Sequence, residues 1–119
     1  ENTFIVPNPD HEKMFSLIQN ASINILYVEH AAGVKLKLLA SLYNGRFCLA
    51  NEAMVEGSML RELCIMMPEN EDELMKVILK YYNSDFDSHE IKKRKETLDL
   101  LYDNEENARK IARVLDSPQ

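Results

Sequence analysis

Residues 23–50 read INILYVEHAAGVKLKLLASLYNGRFCLA. Ile23 to Val28 is an apolar run broken only by Asn24, too short for a helix and bounded by polar residues, which predicts a buried strand. Leu36, Leu39 and Tyr43, with Leu38 and Leu42 beside them, give a wide apolar helix face from Gly33 or Val34 to Asn44. Asn44-Gly45 is a helix stop, and Phe47 to Ala50 is a second buried strand. Strand, glycine-containing loop, helix and strand in that order make an α/β crossover. At such a junction free amides and the positive end of the helix dipole converge on anions.

Outward from that core the punctuation continues. Phe4-Ile5-Val6 is a short apolar run stopped by Pro7, and Pro9 to about Asn20 is an amphipathic helix through Met14, Leu17, Ile18 and Ala21. Residues 51–58 read as a loop, Met59 to Glu62 as a short helical turn, and Cys64 to Met67 as a weaker strand ended by Pro68. Asn70 with Glu73, and Asp87 with Glu90, resemble capping boxes ahead of helices through Leu74, Val77, Ile78 and Tyr81, and through Ile91, Leu98 and Leu101. Ala108, Ile111, Ala112 and Leu115 carry a last helix after a break near Asp103-Asn104. The expectation is an α/β, partial Rossmann-like three-layer domain. It has a short parallel sheet of about four strands over 1–83 and a helical tail over 84–119 packing on the same domain.

Composition narrows the function. The 119 residues suffice for one domain that buries roughly two-thirds of its unfolded surface. A net charge of −6 leaves no surplus of Lys and Arg to displace counterions, which argues against nucleic acid as a partner. No run reaches the roughly 20 apolar residues of a membrane span, so no transmembrane segment is expected. Cys48 and Cys64 lie in apolar runs without CxxC spacing and read as buried free thiols of a cytoplasmic protein. The opening Glu1-Asn2-Thr3, without Met, reads as the start of a fragment.

Lys35 and Lys37 occupy the first turn of the central helix, where the dipole disfavours cations. Two readings stand: solvated surface lysines, or a clamp in which the amides of Gly33, Val34 and Lys35 join the ammonium groups around a diphosphate. The two lysines diverge by about 200° on the helix, so at most one need reach the ligand, and Lys35 is preferred. His30 follows the carboxyl end of the first central strand, and Glu56, Gly57 and Ser58 follow the second, where α/β sheets present polar groups. An incidental loop histidine and an ordinary turn are the plainer readings. The run Lys92-Lys93-Arg94-Lys95, among Glu90, Glu96 and Asp99, reads as a solvated face, and Met54, Met59, Met66 and Met67 as core filler. His11, His30 and His89 lack metal-ligand spacing, and no metal is expected.

Taken together, Gly33-Val34-Lys35-Leu36-Lys37-Leu38-Leu39, the helix end Leu42-Tyr43-Asn44-Gly45-Arg46 and the loop Val55-Glu56-Gly57 resemble the C-terminal, donor-binding domain of GT-B glycosyltransferases, in particular the retaining family-4 group. The resemblance runs from Phe4 to Asn83. It implies transfer of a sugar from a nucleotide-sugar to a glycan or other hydroxyl acceptor, with no cofactor beyond that donor. Gly33, Val34, Lys35 and Lys37 would face the donor diphosphate, and His30, Glu56, Gly57 and Ser58 would border its pocket. It also implies that the acceptor-binding domain and the first strand-helix units of this domain belong to a missing N-terminal portion, and that the chain alone is inactive. In the parent it would be cytoplasmic, or peripheral to the inner membrane. An isolated piece leaves a sheet edge or gap, which a local rearrangement or a homodimer would cover. The chain departs from the family at Ala40, where many members hold the ribose with Glu, and at Ala32, where a second carboxylate is typical. The competing class is a non-catalytic α/β interaction domain whose helical tail binds a partner.

Overall fold

A computed structural model describes residues 3, 5–30 and 36–101. The order is α1 (His11–Asn20), β1 (Ile23–Leu26), α2 (Leu36–Asn44), β2 (Phe47–Ala50), α3 (Glu52–Val55), a 3-10 turn (Arg61–Leu63), β3 (Ile65–Met66), α4 (Glu71–Tyr82) and α5 (Ser88–Leu101). The chain is α/β, and its strands pair in parallel in the order β1-β2-β3. Ile23 lies opposite Phe47 and Leu26 opposite Ala50, while Leu49 lies opposite Ile65.

Three described strands replace the expected four. Ile5 and Val6 are not in a strand, and Ile5 is 88% exposed. With no neighbouring strand among the described residues to take their backbone groups, hydrophobicity alone does not make them a ladder. The loop expected over 51–58 contains α3, and Asn51 precedes it with extended backbone (φ −86°, ψ 169°). The last expected helix, at Ala108 to Leu115, lies outside the described residues, as does the break at Asp103-Asn104.

Local chemistry explains the helix boundaries. Asp10 accepts from the Lys13 amide at 2.8 Å, Asn70 from the Asp72 and Glu73 amides at 2.8 and 3.2 Å, and Asp87 from the Glu90 amide at 3.0 Å. Each satisfies donors that the first helical turn leaves open. The core forms where the period-2 alternation of the strands meets the helices. Cys48 and Ala50 face Leu38, Leu42 and Leu98 of α2 and α5, with Met54, Val55 and Leu60 closing the cluster. On the other face Phe47 meets Tyr81 of α4 at 5.0 Å between ring centroids. Met59, expected in the core, points to solvent.

Gly45 ends α2 for a steric reason. A Cβ there would lie 2.5 Å from Asn24 Nδ2 and 2.8 Å from the Ser41 carbonyl oxygen. Asn24 is itself held by the Ile18 carbonyl, to which its amide donates at 3.1 Å. Gly45→Ala is therefore expected to cost about 2 kcal/mol, read as a lowered urea midpoint with an unchanged slope.

Candidate functional site

The loops that follow β1 and β2 leave the same edge of the sheet, at the carboxyl ends of neighbouring parallel strands. The fold ties that edge together through one side chain. Asn51 accepts from the Val28 amide at 3.2 Å and donates to the Val28 carbonyl at 2.6 Å, while its own amide reaches the Leu26 carbonyl at 3.4 Å. The Met67 amide bonds the Ala50 carbonyl at 2.9 Å, so β3 joins the same edge. Asn51 therefore fixes the point from which Glu29 and His30, both exposed, depart.

Removing that two-way contact leaves a part-buried amide and carbonyl without their partner. Asn51→Ala is expected to cost about 2 kcal/mol. Amide exchange at Val28 should accelerate more than exchange in α4, which the substitution does not touch.

Of the sequence-derived site residues, Gly33, Val34 and Lys35 lie outside the described residues. Lys37 is exposed and lines a groove of about 390 Å³ with Met14, Leu17 and Ala21 of the α1 side and Asn24 and Ile25 of β1. His30 stands beyond β1 at the sheet edge. Glu56 and Gly57 are exposed at the exit of α3, and Gly57 takes the left-handed conformation (φ 74°) that lets the chain turn there.

Ser58 is different. It is buried, and its hydroxyl donates to the Val55 carbonyl at 2.6 Å and accepts from the Leu60 amide at 3.1 Å. Those two bonds shape the turn after α3 and so hold Glu56 and Gly57 in place. Ala40, at the position where the resemblance leads one to seek a ribose-binding carboxylate, is buried within α2.

Two groupings were not anticipated from the sequence. Arg94 belongs to the basic run read as a solvated face, and Lys92, Lys93 and Lys95 are indeed exposed, with Lys92 4.0 Å from Glu96. Arg94 is buried instead. Its guanidinium donates to the Gly45 carbonyl at 2.9 Å and the Leu42 carbonyl at 3.5 Å, and it stacks 4.5 Å from the Phe86 centroid. It thus takes carbonyls at the end of α2 where the helix dipole is negative. The second grouping is Cys48 with Cys64, 16 positions apart in the sequence: Cys64 packs against the core cluster to which Cys48 belongs. Cys48 is buried as expected, but Cys64 is only half-buried.

Among the described residues no group of three or more His, Cys, Asp or Glu is placed to hold a metal ion, and no helix is long and apolar enough to cross a membrane. No family model, curated protein or solved structure matches this chain.

Proposed function

We propose that this chain is the donor side of a sugar-transfer enzyme, the second half of a Rossmann-like domain that holds a nucleotide-sugar diphosphate at the junction between β1 and α2. The observation that carries the reading is the parallel β1-α2-β2 crossover, whose connecting loop starts at the carboxyl edge under the control of Asn51. Ligands of open α/β sheets bind outside that edge. The first described turn of α2 contains no acidic residue, so nothing there opposes an anion.

In this reading the amides of Gly33, Val34 and Lys35 and the Lys35 ammonium receive the diphosphate, with Lys37 adding long-range positive potential. His30, Glu56 and Gly57 border the sugar, and Ser58 supports their loop. Catalysis on this side is electrostatic: groups aimed at the diphosphate stabilise the charge that builds on it as the glycosidic bond lengthens. With Ala40 in place of a carboxylate, the ribose hydroxyls gain no acceptor from that turn of α2. The acceptor site, and any general base, come from a partner portion of a longer protein, so the chain alone transfers nothing.

The experiment is a titration of the isotopically labelled chain with a uridine or guanosine diphosphate, followed by amide chemical shifts. Saturable shifts concentrated at 30–37 and 56–58 support the reading. Saturation elsewhere, or no response, removes it. In that event a second reading gains, that of a non-catalytic interaction domain. Met75, Leu79 and Tyr82 favour it, since they stand exposed along one face of α4 at helical spacing.

A further inference from the structure

β2 and the segment entering β3 carry the two cysteines side by side. Leu49 pairs with Ile65 and Ala50 with Met66, and Cys64 is extended (φ −112°, ψ 153°), so the same register continued back one residue sets Cys64 opposite Cys48. Opposed residues of a parallel pair point to the same face, on strands about 4.8 Å apart, which lies within the Cα separation a disulfide spans. Both thiols are free, and Cys64 packs against the core cluster to which Cys48 belongs. They share the wall of a cavity of about 170 Å³ with Tyr81, Phe86, Glu90 and Arg94. Cys48 is sealed in the core cluster, whereas Cys64 is half-buried.

We propose that Cys48 and Cys64 form a redox site, in which a hydroperoxide oxidises Cys64 and Cys48 closes an intramolecular disulfide. The first step is attack of the Cys64 thiolate on a peroxide oxygen: an S–O bond forms, the O–O bond breaks, and the departing hydroxide takes a proton to become water. In the second step Cys48 gives up its proton and its sulfur attacks the Cys64 sulfenic sulfur; the S–S bond forms and hydroxide leaves as a second water. The thiol pair loses two electrons, and one hydrogen peroxide is reduced to two waters.

The surroundings assign the two roles. The hydrogen bond from Cys48 and the positive charge of Arg94 hold the Cys64 thiol below its ordinary range, although burial opposes them. The same contact and burial push the Cys48 thiol up, and Cys48 is the more deeply buried of the two, so Cys64 is the sulfur a peroxide reaches first. Once Cys64 is a sulfenic acid, the neighbouring thiolate that raised Cys48 is gone, and the second step becomes accessible. Arg94 is fixed by the Gly45 carbonyl and the Phe86 ring, so its charge is in place before the peroxide arrives. This inference is independent of the donor reading.

The test is peptide mapping of the whole chain after exposure to equimolar hydrogen peroxide under native conditions. The expected result is a Cys48–Cys64 linked peptide, lighter by two hydrogens than the reduced pair and restored by dithiothreitol. In the reduced protein Cys64 should react with iodoacetamide at least about tenfold faster than Cys48. In Cys48→Ala, dimedone should trap a sulfenic acid at Cys64, with folding checked by circular dichroism. The wild-type map decides the matter even if that variant unfolds. Two thiols still free after such exposure, disulfides formed only between chains, or faster alkylation of Cys48 than of Cys64 would each overturn the proposal.

Discussion

Leu42→Ala should lower the unfolding free energy by about 3 kcal/mol, within the roughly 2–5 kcal/mol that such truncations cost in a packed core. Leu42 is 1% exposed and belongs to the core cluster that joins α2 to Cys48 and Ala50 of β2 and Leu98 of α5. Its loss removes apolar area from water exclusion and leaves a cavity that the α2 backbone is not free to fill, because Gly45 and Arg94 pin the end of that helix. Leu79→Ala is the control: Leu79 is 53% exposed on α4, and truncation there should change stability by no more than about 0.5 kcal/mol. Urea unfolding monitored by far-UV circular dichroism measures both. Equal losses in the two variants would show that α2 is not the centre of the core.

Arg94→Ala is expected to cost about 3 kcal/mol as well, by a different route. The guanidinium is buried, which lowers its pKa, and the folded chain accepts that burial because the Gly45 and Leu42 carbonyls and the Phe86 face surround it. Truncation strips those carbonyls of their donor and Phe86 of its stacking partner, terms of about 1–3 and about 1 kcal/mol respectively. Arg94→Met keeps the apolar stem and should recover part of the loss; Arg94→Lys should not restore it fully, since an ammonium lacks the planar fork that both donates and stacks. If Arg94→Ala unfolds at the same urea concentration as wild type, the guanidinium is not holding α5 against α2.

Local features of this chain were readable from sequence, and long-range ones were not. Asn70 three residues before Glu73, and Asp87 three before Glu90, announce their helices because an N-cap is a contact within one turn, and the bonds are where that spacing puts them. The central strands were equally legible, since Ile23–Leu26 and Phe47–Ala50 are apolar runs too short for helices. Ile5-Val6 is similarly apolar but has no paired neighbour among the described residues, and strand propensity without a partner says little. Arg94 was hidden inside a run of four cations. Only its spacing of four from Leu98 placed it on the inward face, and Ile91, expected there, is 54% exposed. Asn51 acts on Val28 across 23 positions, and Cys48 on Cys64 through strand register, so neither pairing has a signature in the linear chain. The proposed diphosphate residues Gly33, Val34 and Lys35 rest on their motif alone and lie outside the described residues.

The most direct measurement is therefore the affinity of wild type and Lys35→Ala for a nucleoside diphosphate by calorimetry at low salt. A saturable site is expected, weakened about tenfold by Lys35→Ala, the worth of one charge-assisted contact, and weakened further by added salt. Saturable binding that is indifferent to Lys35, or no binding by the folded wild type, would contradict a diphosphate held at the glycine loop ahead of α2.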